Sequence, residues 1–387
     1  MKIAKNLERL GTEAVYNIFA KTKELTNQGK QIIDLSLGQS DFKSPKHVVE
    51  AAIQALKNGQ HGYTLPNGII ECREAVSRKI KSLYKSNIDP KRVIIMPGGK
   101  PTMYYAISFF GEPGAEIIYP DPGFPIYESM INYTGAKAIP YNMMENKDYS
   151  INPDKIFELI NENTRLIILN NPHNPTGSFT EKHVIDKLAK GLKKFPNIVI
   201  LSDEVYDRLI FDNKEIPTLL NYPDLYDRLI VLNGWSKTYA MTGWRLGWGV
   251  WPENLVEHVF NFCVNTHSCV NTPAQYGAIA ALDGPEDHLN NMMKEFTSRR
   301  KLIVEGLKSL KGVECGFPGG SFFVFPNIKG TGMNAEEFTN KCLSEAGVAM
   351  IPGTAFGKFA TYNVRFNFAT SRENISKAIE KIDKILK

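Results

Sequence analysis

The chain has 387 residues, of which 43% are hydrophobic and 22% are charged, a composition typical of a globular protein with enough length for two or three domains. Its net charge of +5 is spread along the sequence without a basic tract, and no uninterrupted apolar run approaches ~18 residues, so neither nucleic-acid binding nor a membrane span is indicated. The five cysteines are scattered without a C-x-x-C pair and the seven histidines lack metal-ligand spacing, which excludes a disulfide framework and a zinc site. We therefore expect a reduced, cytoplasmic protein without a metal.

The N-terminal stretch carries helix and strand signals in alternation. Apolar residues recur at helical spacing over 5–30, and Gly29 is expected to end that helix. A short strand follows over 32–37 and stops at Gly38. On local evidence, Gly38 is either a turn glycine or a point where a ligand approaches the backbone closely. An amphipathic helix over 45–57 comes next.

A glycine-rich turn joins the strand predicted over 92–96 to a helix. The turn reads Pro-Gly-Gly-Lys-Pro over 97–101. Glycines let a backbone approach an anion, and a helix N-terminus offers free N–H groups and the positive end of the helix dipole. Gly99 and Lys100 are therefore candidates for binding a phosphate, although most Gly-Gly pairs are plain turns.

Two later apolar strands each end in polar side chains. The strand over 166–170 runs into Asn-Pro-His-Asn-Pro-Thr-Gly at 171–177, where each proline disfavours helical backbone in the residue before it and directs Asn174 inward. The strand that begins at 197 ends at Asp203, at the edge where open α/β sheets place ligands. Asp203 could instead be a helix N-cap.

A lysine and an arginine follow the apolar strand predicted over 229–232. Burial lowers the pKa of a lysine and makes its amine nucleophilic, which suits a Schiff base between Lys237 and an aldehyde cofactor. Arg245 would supply a permanently charged fork for a phosphate. The alternative is that Lys237 is an ordinary surface lysine.

The pattern changes after about residue 285. A charged helix over 294–310 precedes strand-like segments at 319–325, 348–353 and 363–369, and a last helix covers 372–386. This alternation predicts a smaller α+β domain. Arg365 lies in the last of those strands, where an isolated arginine more often belongs to a solvated face.

Taken together, these motifs resemble the class I/II aminotransferases, pyridoxal-phosphate enzymes of fold type I. The matching segments are Ser-Lys-Thr-x-x-x-x-Gly-x-Arg-x-Gly at 236–247, the segment at 171–177, and Asp-Glu-x-Tyr at 203–206. The resemblance implies an α/β fold in which helices flank a mostly parallel seven-stranded sheet. It also implies a large domain over 45–285 and a smaller domain, formed by 1–44 and 286–387, that closes over the active site.

The resemblance implies a role for each candidate residue. Lys237 would hold pyridoxal phosphate and afterwards move a proton as base and acid. The other cofactor-binding residues would be Gly99, Lys100, Phe124, Asn174, Asp203, Tyr206, Arg245 and, from the neighbouring subunit of a homodimer, Tyr63. The substrate would contact Gly38, Lys100, Phe124, Asn174 and Arg365. One departure is Gly234, where relatives often carry a phosphate-binding serine; the backbone N–H is left to contribute there.

The expected reaction is transfer of an amino group from an L-amino acid to 2-oxoglutarate by a ping-pong mechanism. No arginine lies between Arg245 and Arg299, so the chain resembles the aspartate aminotransferases that lack an interface arginine and use a lysine, here Lys100, for the distal carboxylate. An aromatic or broad-specificity aminotransferase is the first alternative, and a carbon–sulfur lyase the second. A cofactor-binding regulator is disfavoured, because about thirty residues before the first strand leave no room for a DNA-binding module.

Overall fold

The structure is a computed structural model that describes residues 1–11, 14–146, 148–212 and 214–387. In these ranges no helix is long and apolar enough to cross a membrane. The α-helices are α1 Ala14–Asn27, α2 Lys46–Lys57, α3 Ile70–Tyr84, α4 Lys100–Phe110, α5 Ile126–Thr134, α6 Pro153–Glu158, α7 Lys182–Leu192, α8 Val256–Thr266, α9 Thr272–Asp283, α10 Asp287–Ser309, α11 Ala335–Lys341 and α12 Arg372–Leu386.

Strands form one large sheet and two small ones. They are β1 Ile33–Asp34, β2 Val93–Met96, β3 Glu116–Asp121, β4 Lys137–Asn142, β5 Thr164–Asn170, β6 Val199–Asp203, β7 Leu229–Gly234, β8 Gly247–Val250, β9 Phe323–Val324, β10 Val348–Ala349, β11 Ile351–Pro352 and β12 Val364–Asn367. The large sheet has the order β2-β8-β7-β6-β5-β3-β4. Strand β8 runs antiparallel to both of its neighbours, and the other pairings are parallel. This mostly parallel seven-stranded α/β sheet confirms the predicted fold class.

Helices cover both faces of the large sheet, so its central strands are apolar on both sides. The adjacent residues Ile94 and Ile95 of β2 point to opposite faces and belong to two separate cores. One core includes side chains of α2, α3, α7 and α9, and the other includes side chains of α4, α5 and α8. Burial on both faces explains the unbroken runs of isoleucine, leucine and valine in the sequence.

The register brings polar residues to one edge of the large sheet. Asn170 pairs with Asp203, the last residues of β5 and β6. On the other side, Gly247 of β8 pairs with Gly234 of β7 and with Met96 of β2. Because parallel strands share their carboxyl edge, the segments that follow β5, β6 and β7 begin next to one another.

The C-terminal part adds a further core beside this edge. Strands β11, β12 and β9 form an antiparallel sheet, and β1 pairs with β10 in parallel. Helices α10 and α12 pack together over an apolar cluster that includes Phe296, Phe322 and Phe366. Tyr206 and Phe211, which follow β6, join the same cluster and so connect the large sheet to this core.

Several element boundaries correct the sequence-based expectations. The single helix predicted over 5–30 is wrong, since a short 3-10 helix at Lys5–Arg9 ends before α1 begins; Thr12 and Glu13 lie outside the described residues. Arg9 donates to the backbone oxygens of Asn132 (2.7 Å) and Tyr133 (2.9 Å) near the end of α5, which places this segment against another helix. The helix over 45–57 is confirmed as α2, and that over 372–386 as α12.

Other expected elements differ in length for identifiable reasons. The strand over 32–37 shortens to β1, because the amide and hydroxyl of Ser36 turn back onto the Asp34 carboxylate at 2.8 and 2.6 Å. The strand over 319–325 shortens to β9, since Ser321 has a φ of 57° and donates its amide to Leu209. The charged helix begins earlier than expected, at Asp287.

Candidate active site

A cavity of about 470 Å³ lies at the carboxyl edge of the large sheet. It brings together residues from distant parts of the chain, as the sheet order requires. The predicted site residues that line it are Gly38, Gly99, Lys100, Phe124, Asn174, Asp203, Tyr206, Lys237, Arg245 and Arg365. Tyr63 does not line this cavity; it lies between α2 and α3 with its side chain 93% exposed.

Lys237 reaches the cavity three residues after β7. Its Nζ donates to the backbone oxygen of Gly38 at 2.5 Å and lies 5.8 Å from the ring centre of Tyr206. Burial, together with repulsion from Arg365 and Arg245, lowers the pKa of this ammonium group to about 8. The neutral amine that nucleophilic and general-base chemistry requires is thus far more populated at neutral pH than in an exposed lysine.

Asp203 carries its carboxylate into a buried setting at the end of β6. Its Oδ2 accepts a hydrogen bond from the Tyr127 hydroxyl at 2.6 Å, and its Oδ1 accepts from the Val205 amide at 3.2 Å. Burial raises the pKa of Asp203 to about 6, while these two donors oppose the rise. Asp203 is therefore suited to hold a positively charged ring nitrogen in the cavity.

Arg365 and Asn174 meet on another wall of the cavity. Arg365 Nη1 donates to Asn174 Oδ1 at 2.8 Å, and Nη2 donates to the Ser36 backbone oxygen at 2.6 Å. The guanidinium carbon lies 4.3 Å from the ring centre of Phe323 and 4.6 Å from that of Phe356. These contacts fix a planar cation that suits bidentate binding of a carboxylate.

Arg245 approaches the N-terminus of α4. Gly99 is the N-cap residue of that helix, and Arg245 Nη1 donates to the Thr242 backbone oxygen at 2.8 Å. Gly98 has a φ of 94°, and a Cβ at that position would lie 2.4 Å from Arg245 Nη2. The glycine therefore leaves room for a guanidinium beside the N-terminus of α4, an arrangement suited to a phosphate.

Lys100, the first residue of α4, directs its ammonium group between two aromatic rings. The Nζ lies 5.3 Å from the ring centre of Phe124 and 5.9 Å from that of Tyr16. This places a cation at the cavity wall. The site therefore combines a cationic group with two aromatic surfaces.

Gly234 departs from the serine that relatives often carry, and the structure gives a steric reason. A Cβ on Gly234 would lie 2.8 Å from Gly247 Cα and 3.0 Å from the Leu246 backbone oxygen. The Gly234 amide donates to Asn233 Oδ1 at 2.6 Å. A serine therefore does not fit without movement of β8, and the amide already has a partner within the chain.

Sequence reasoning missed Tyr127, Tyr16 and Ser36. Tyr127 is fully buried and bonds to Asp203, yet nothing in its sequence context distinguishes it from a core tyrosine. Tyr16 lies on α1 and reaches Lys100 only through the tertiary fold. Ser36 contributes a backbone oxygen, which any residue carries, so no sequence signal marks its contact with Arg365.

The chain is similar to known proteins over nearly its whole length. The sequence model of a family described as aminotransferase class I and II matches residues 30–382. An aspartate aminotransferase of Pyrococcus horikoshii is 37% identical over 366 residues, which are 94% of this chain and 93% of that protein. Aromatic-amino-acid aminotransferase 2 of Thermococcus litoralis is 32% identical over 390 residues, 100% of this chain and 99% of that protein. The solved structure of aspartate aminotransferase from Thermus thermophilus with maleate has a TM-score of 0.94 at 28% identity, with 100% of both chains covered.

Proposed function

The chain belongs to the class I and II aminotransferase family, whose members are pyridoxal-phosphate-dependent transaminases, and on that premise we propose that it moves the amino group of L-aspartate, or of another dicarboxylic amino acid, to 2-oxoglutarate. Because one cofactor serves two successive half-reactions, we expect ping-pong kinetics. The observation that carries the choice of donor is the ammonium group of Lys100 at the cavity.

We propose that Lys237 binds the aldehyde group of pyridoxal phosphate and that Asp203 pairs with the ring nitrogen. Phe124 would lie against the ring, with Tyr206 and Asn174 at its phenolic oxygen. The fit is supported by the lowered pKa of Lys237 and by the burial of Asp203 with two hydrogen-bond donors.

The phosphate would lie between Arg245 and the backbone amides of Gly99 and Lys100. Its support is the space beside Gly98, which lets a cationic fork approach a helix N-terminus. Tyr63 of a neighbouring subunit would add its hydroxyl, a role consistent with a side chain that is 93% exposed in the single chain. We accordingly propose a homodimer.

The Lys237 amine would transfer the proton. It would take the proton from the substrate Cα and return it to another atom on the same face of the cofactor. When bound, pyridoxal phosphate supplies a ring that accepts the electron pair left at Cα. Asp203 would keep the ring nitrogen positively charged, which would stabilise the electron pair that the ring accepts from Cα. Arg365 and Asn174 would orient the α-carboxylate, and Gly38, whose backbone oxygen accepts from Lys237, would lie beside the substrate.

For the distal carboxylate we propose Lys100 as the partner. A solved relative named aspartate aminotransferase contains maleate, a dicarboxylate, and several relatives carry that same enzyme name. The rings of Tyr16 and Phe124 beside Lys100 favour a second candidate, an aromatic donor, and one relative is named an aromatic-amino-acid aminotransferase.

The test is a single-turnover absorbance experiment with holoenzyme, one amino acid at a time and no keto acid. Wild type should convert fastest with aspartate and glutamate. Lys100→Ala should lose roughly 10- to 100-fold with aspartate, the cost of one charge-assisted contact, and change little with alanine. Lys190→Ala, at an exposed lysine of α7, is the matched control and should not change either rate.

Three results would overturn parts of this proposal. Fast conversion with phenylalanine and slow conversion with aspartate would leave a transaminase with an aromatic donor. An unchanged aspartate rate in Lys100→Ala would remove the role of Lys100. Release of ammonia and pyruvate from a cysteine conjugate, with no amino transfer to any keto acid, would replace transamination by lyase chemistry.

We also propose the division of the chain into a large domain over 45–285 and a small one formed by 1–44 and 286–387. The separate apolar cluster around α10 and α12 supports it, as does the pairing of β1 with β10. A cytoplasmic location is part of the same proposal, supported by five free cysteines.

A further inference from the structure

A buried carboxylate outside the cavity connects the large sheet to the C-terminal part of the chain. Asp121 is the last residue of β3 and is 2% exposed. Its Oδ2 accepts from the Lys358 amide at 3.2 Å and its Oδ1 from the Phe359 amide at 3.4 Å. These donors lie between β11 and β12, which belong to a different sheet. Asp121 therefore connects its own sheet to a loop of another sheet.

The contact is built for close approach. Gly357 has a φ of 151°, and a Cβ there would lie 1.9 Å from Asp121 Oδ1. Two residues after Asp121, the Gly123 amide donates to the Phe356 backbone oxygen at 2.8 Å. The segment after β3 and the segment 356–359 are thus joined both through the Asp121 side chain and through the backbone.

One joined segment lines the cavity, and the other contacts Arg365, which lines it. Phe124, directly after Gly123, lines the cavity and lies beside Lys100. Phe356 places its ring 4.6 Å from the guanidinium carbon of Arg365, on which Phe323 also packs at 4.3 Å. A shift of segment 356–359 would therefore move one of the two rings that hold the Arg365 guanidinium.

We propose that Asp121 is a positioning residue for recognition of the substrate α-carboxylate: it holds segment 356–359 so that Phe356 keeps Arg365 oriented toward the cavity. This inference rests on the proposed role of Arg365. Asp121 does not line the cavity, so we expect it to act through Phe356 on the affinity for groups that Arg365 binds. Gly123 and Phe124 also connect this segment to the Lys100 wall, so the test compares two ligands that both keep the distal carboxylate.

The experiment compares two ligands of the holoenzyme that differ in the α-carboxylate. 2-Methylaspartate has both carboxylates but no hydrogen on Cα, and β-alanine keeps the distal carboxylate and lacks the α one. Absorbance titration gives Kd for each. Asp121→Asn keeps the side-chain shape but places an NH₂ group against a backbone N–H, and should weaken 2-methylaspartate binding about tenfold while β-alanine changes less than twofold.

Kinetics should show the same split. In the half-reaction with aspartate, the concentration giving half the maximal rate should rise about tenfold, while the maximal rate stays within about twofold.

Phe356→Leu, which keeps most of the apolar volume but removes the ring face, should reproduce the selective loss and serves if Asp121→Asn folds poorly. Arg365→Lys should likewise weaken binding of 2-methylaspartate relative to binding of β-alanine, which lowers the ratio of the two affinities. Glu128→Gln, at an exposed carboxylate near Asp121, is the matched control and should leave the ratio unchanged.

Equal weakening of both ligands, or an unchanged ratio with only a lower melting temperature, would show that Asp121 is structural and would overturn the inference. Failure of the proposed function looks different, since wild-type holoenzyme, with Asp121 intact, would then fail to convert aspartate to its keto acid.

Discussion

Burial changes the protonation of Lys237, the residue proposed to bind the cofactor. Its folded-state pKa of about 8 lies below the value near 10.4 of a lysine in an unfolded chain. Between these values the unfolded state binds a proton that the folded state does not, so the free energy of unfolding rises with pH across this window. Below pH 8 the buried Lys237 ammonium group lowers the free energy of unfolding, which an apolar side chain at this position would not do.

Lys237→Met should therefore stabilise the cofactor-free protein at pH 7. The pKa difference of roughly 2.5 units corresponds to about 3 kcal/mol. For the unfolding entropy of a chain of this length, that free energy raises the Tm by about 4 °C. The advantage should shrink as pH rises from 8 to 10.5, because the wild type recovers stability there. Melting curves of both proteins across this range check the sign. Lys190→Met at an exposed position should show no such trend, and a pH-independent advantage for Lys237→Met would contradict the assigned shift.

At the scale of elements, glycines of three neighbouring segments meet on the side of the cavity where the phosphate is proposed to bind. Gly234 of β7 faces Gly247 of β8, and a Cβ on Gly247 would lie 2.4 Å from the carbonyl carbon of Gly98, just past β2. The absence of side chains lets these backbones approach, and this approach sets the distance between Arg245 and the start of α4.

Gly234→Ser tests this packing. Although relatives often carry serine there, we expect it to destabilise this chain by about 1–3 kcal/mol through overpacking against β8. Displacement of β8 should also weaken pyridoxal phosphate binding roughly tenfold, measured by equilibrium dialysis. Gly316→Ser, at a glycine with no atom within 4 Å of its added Cβ, is the control and should change neither value. Tighter cofactor binding in Gly234→Ser would mean that the hydroxyl finds room and a phosphate contact.

The whole molecule is proposed to act as a pair of chains that share Tyr63. A mixture of Tyr63→Ala and Lys237→Ala chains tests this, because the heterodimer contains one site in which both native residues meet. We expect each parent to be weak or inactive and the heterodimer to recover about half of the wild-type activity per dimer. Reassembly after mild denaturation, followed by activity and mass measurements, provides the readout. Mixing either parent with the double variant should recover nothing, and if the first mixture also recovers nothing, Tyr63 acts within its own chain.

The sequence predicted those parts of the site that follow directly from strand order. Asn174, Asp203 and Lys237 each come shortly after a buried strand, and the parallel sheet then requires them to meet at one edge. Arg365 is different: a lone arginine in an alternating strand has no local signal, and only the family resemblance singled it out. Tyr127 and Tyr16 were missed because their contacts are tertiary. The N-terminal helix was overextended because periodicity does not register the bonds that Arg9 makes to α5.

The position of β2 at the end of the sheet has a consequence for synthesis on the ribosome. Its hydrogen-bonded neighbour is β8, whose first residue pairs with Met96 from roughly 150 positions further along the chain. Until about residue 250 has emerged, β2 is a strand without its partner, and such edges invite association with other chains. Arg245 lies two residues before β8, so we expect it to reach the start of α4, the proposed phosphate site, only after that pairing. We therefore expect the cofactor to bind late in synthesis. Truncated chains that end before β8 should depend most on chaperones.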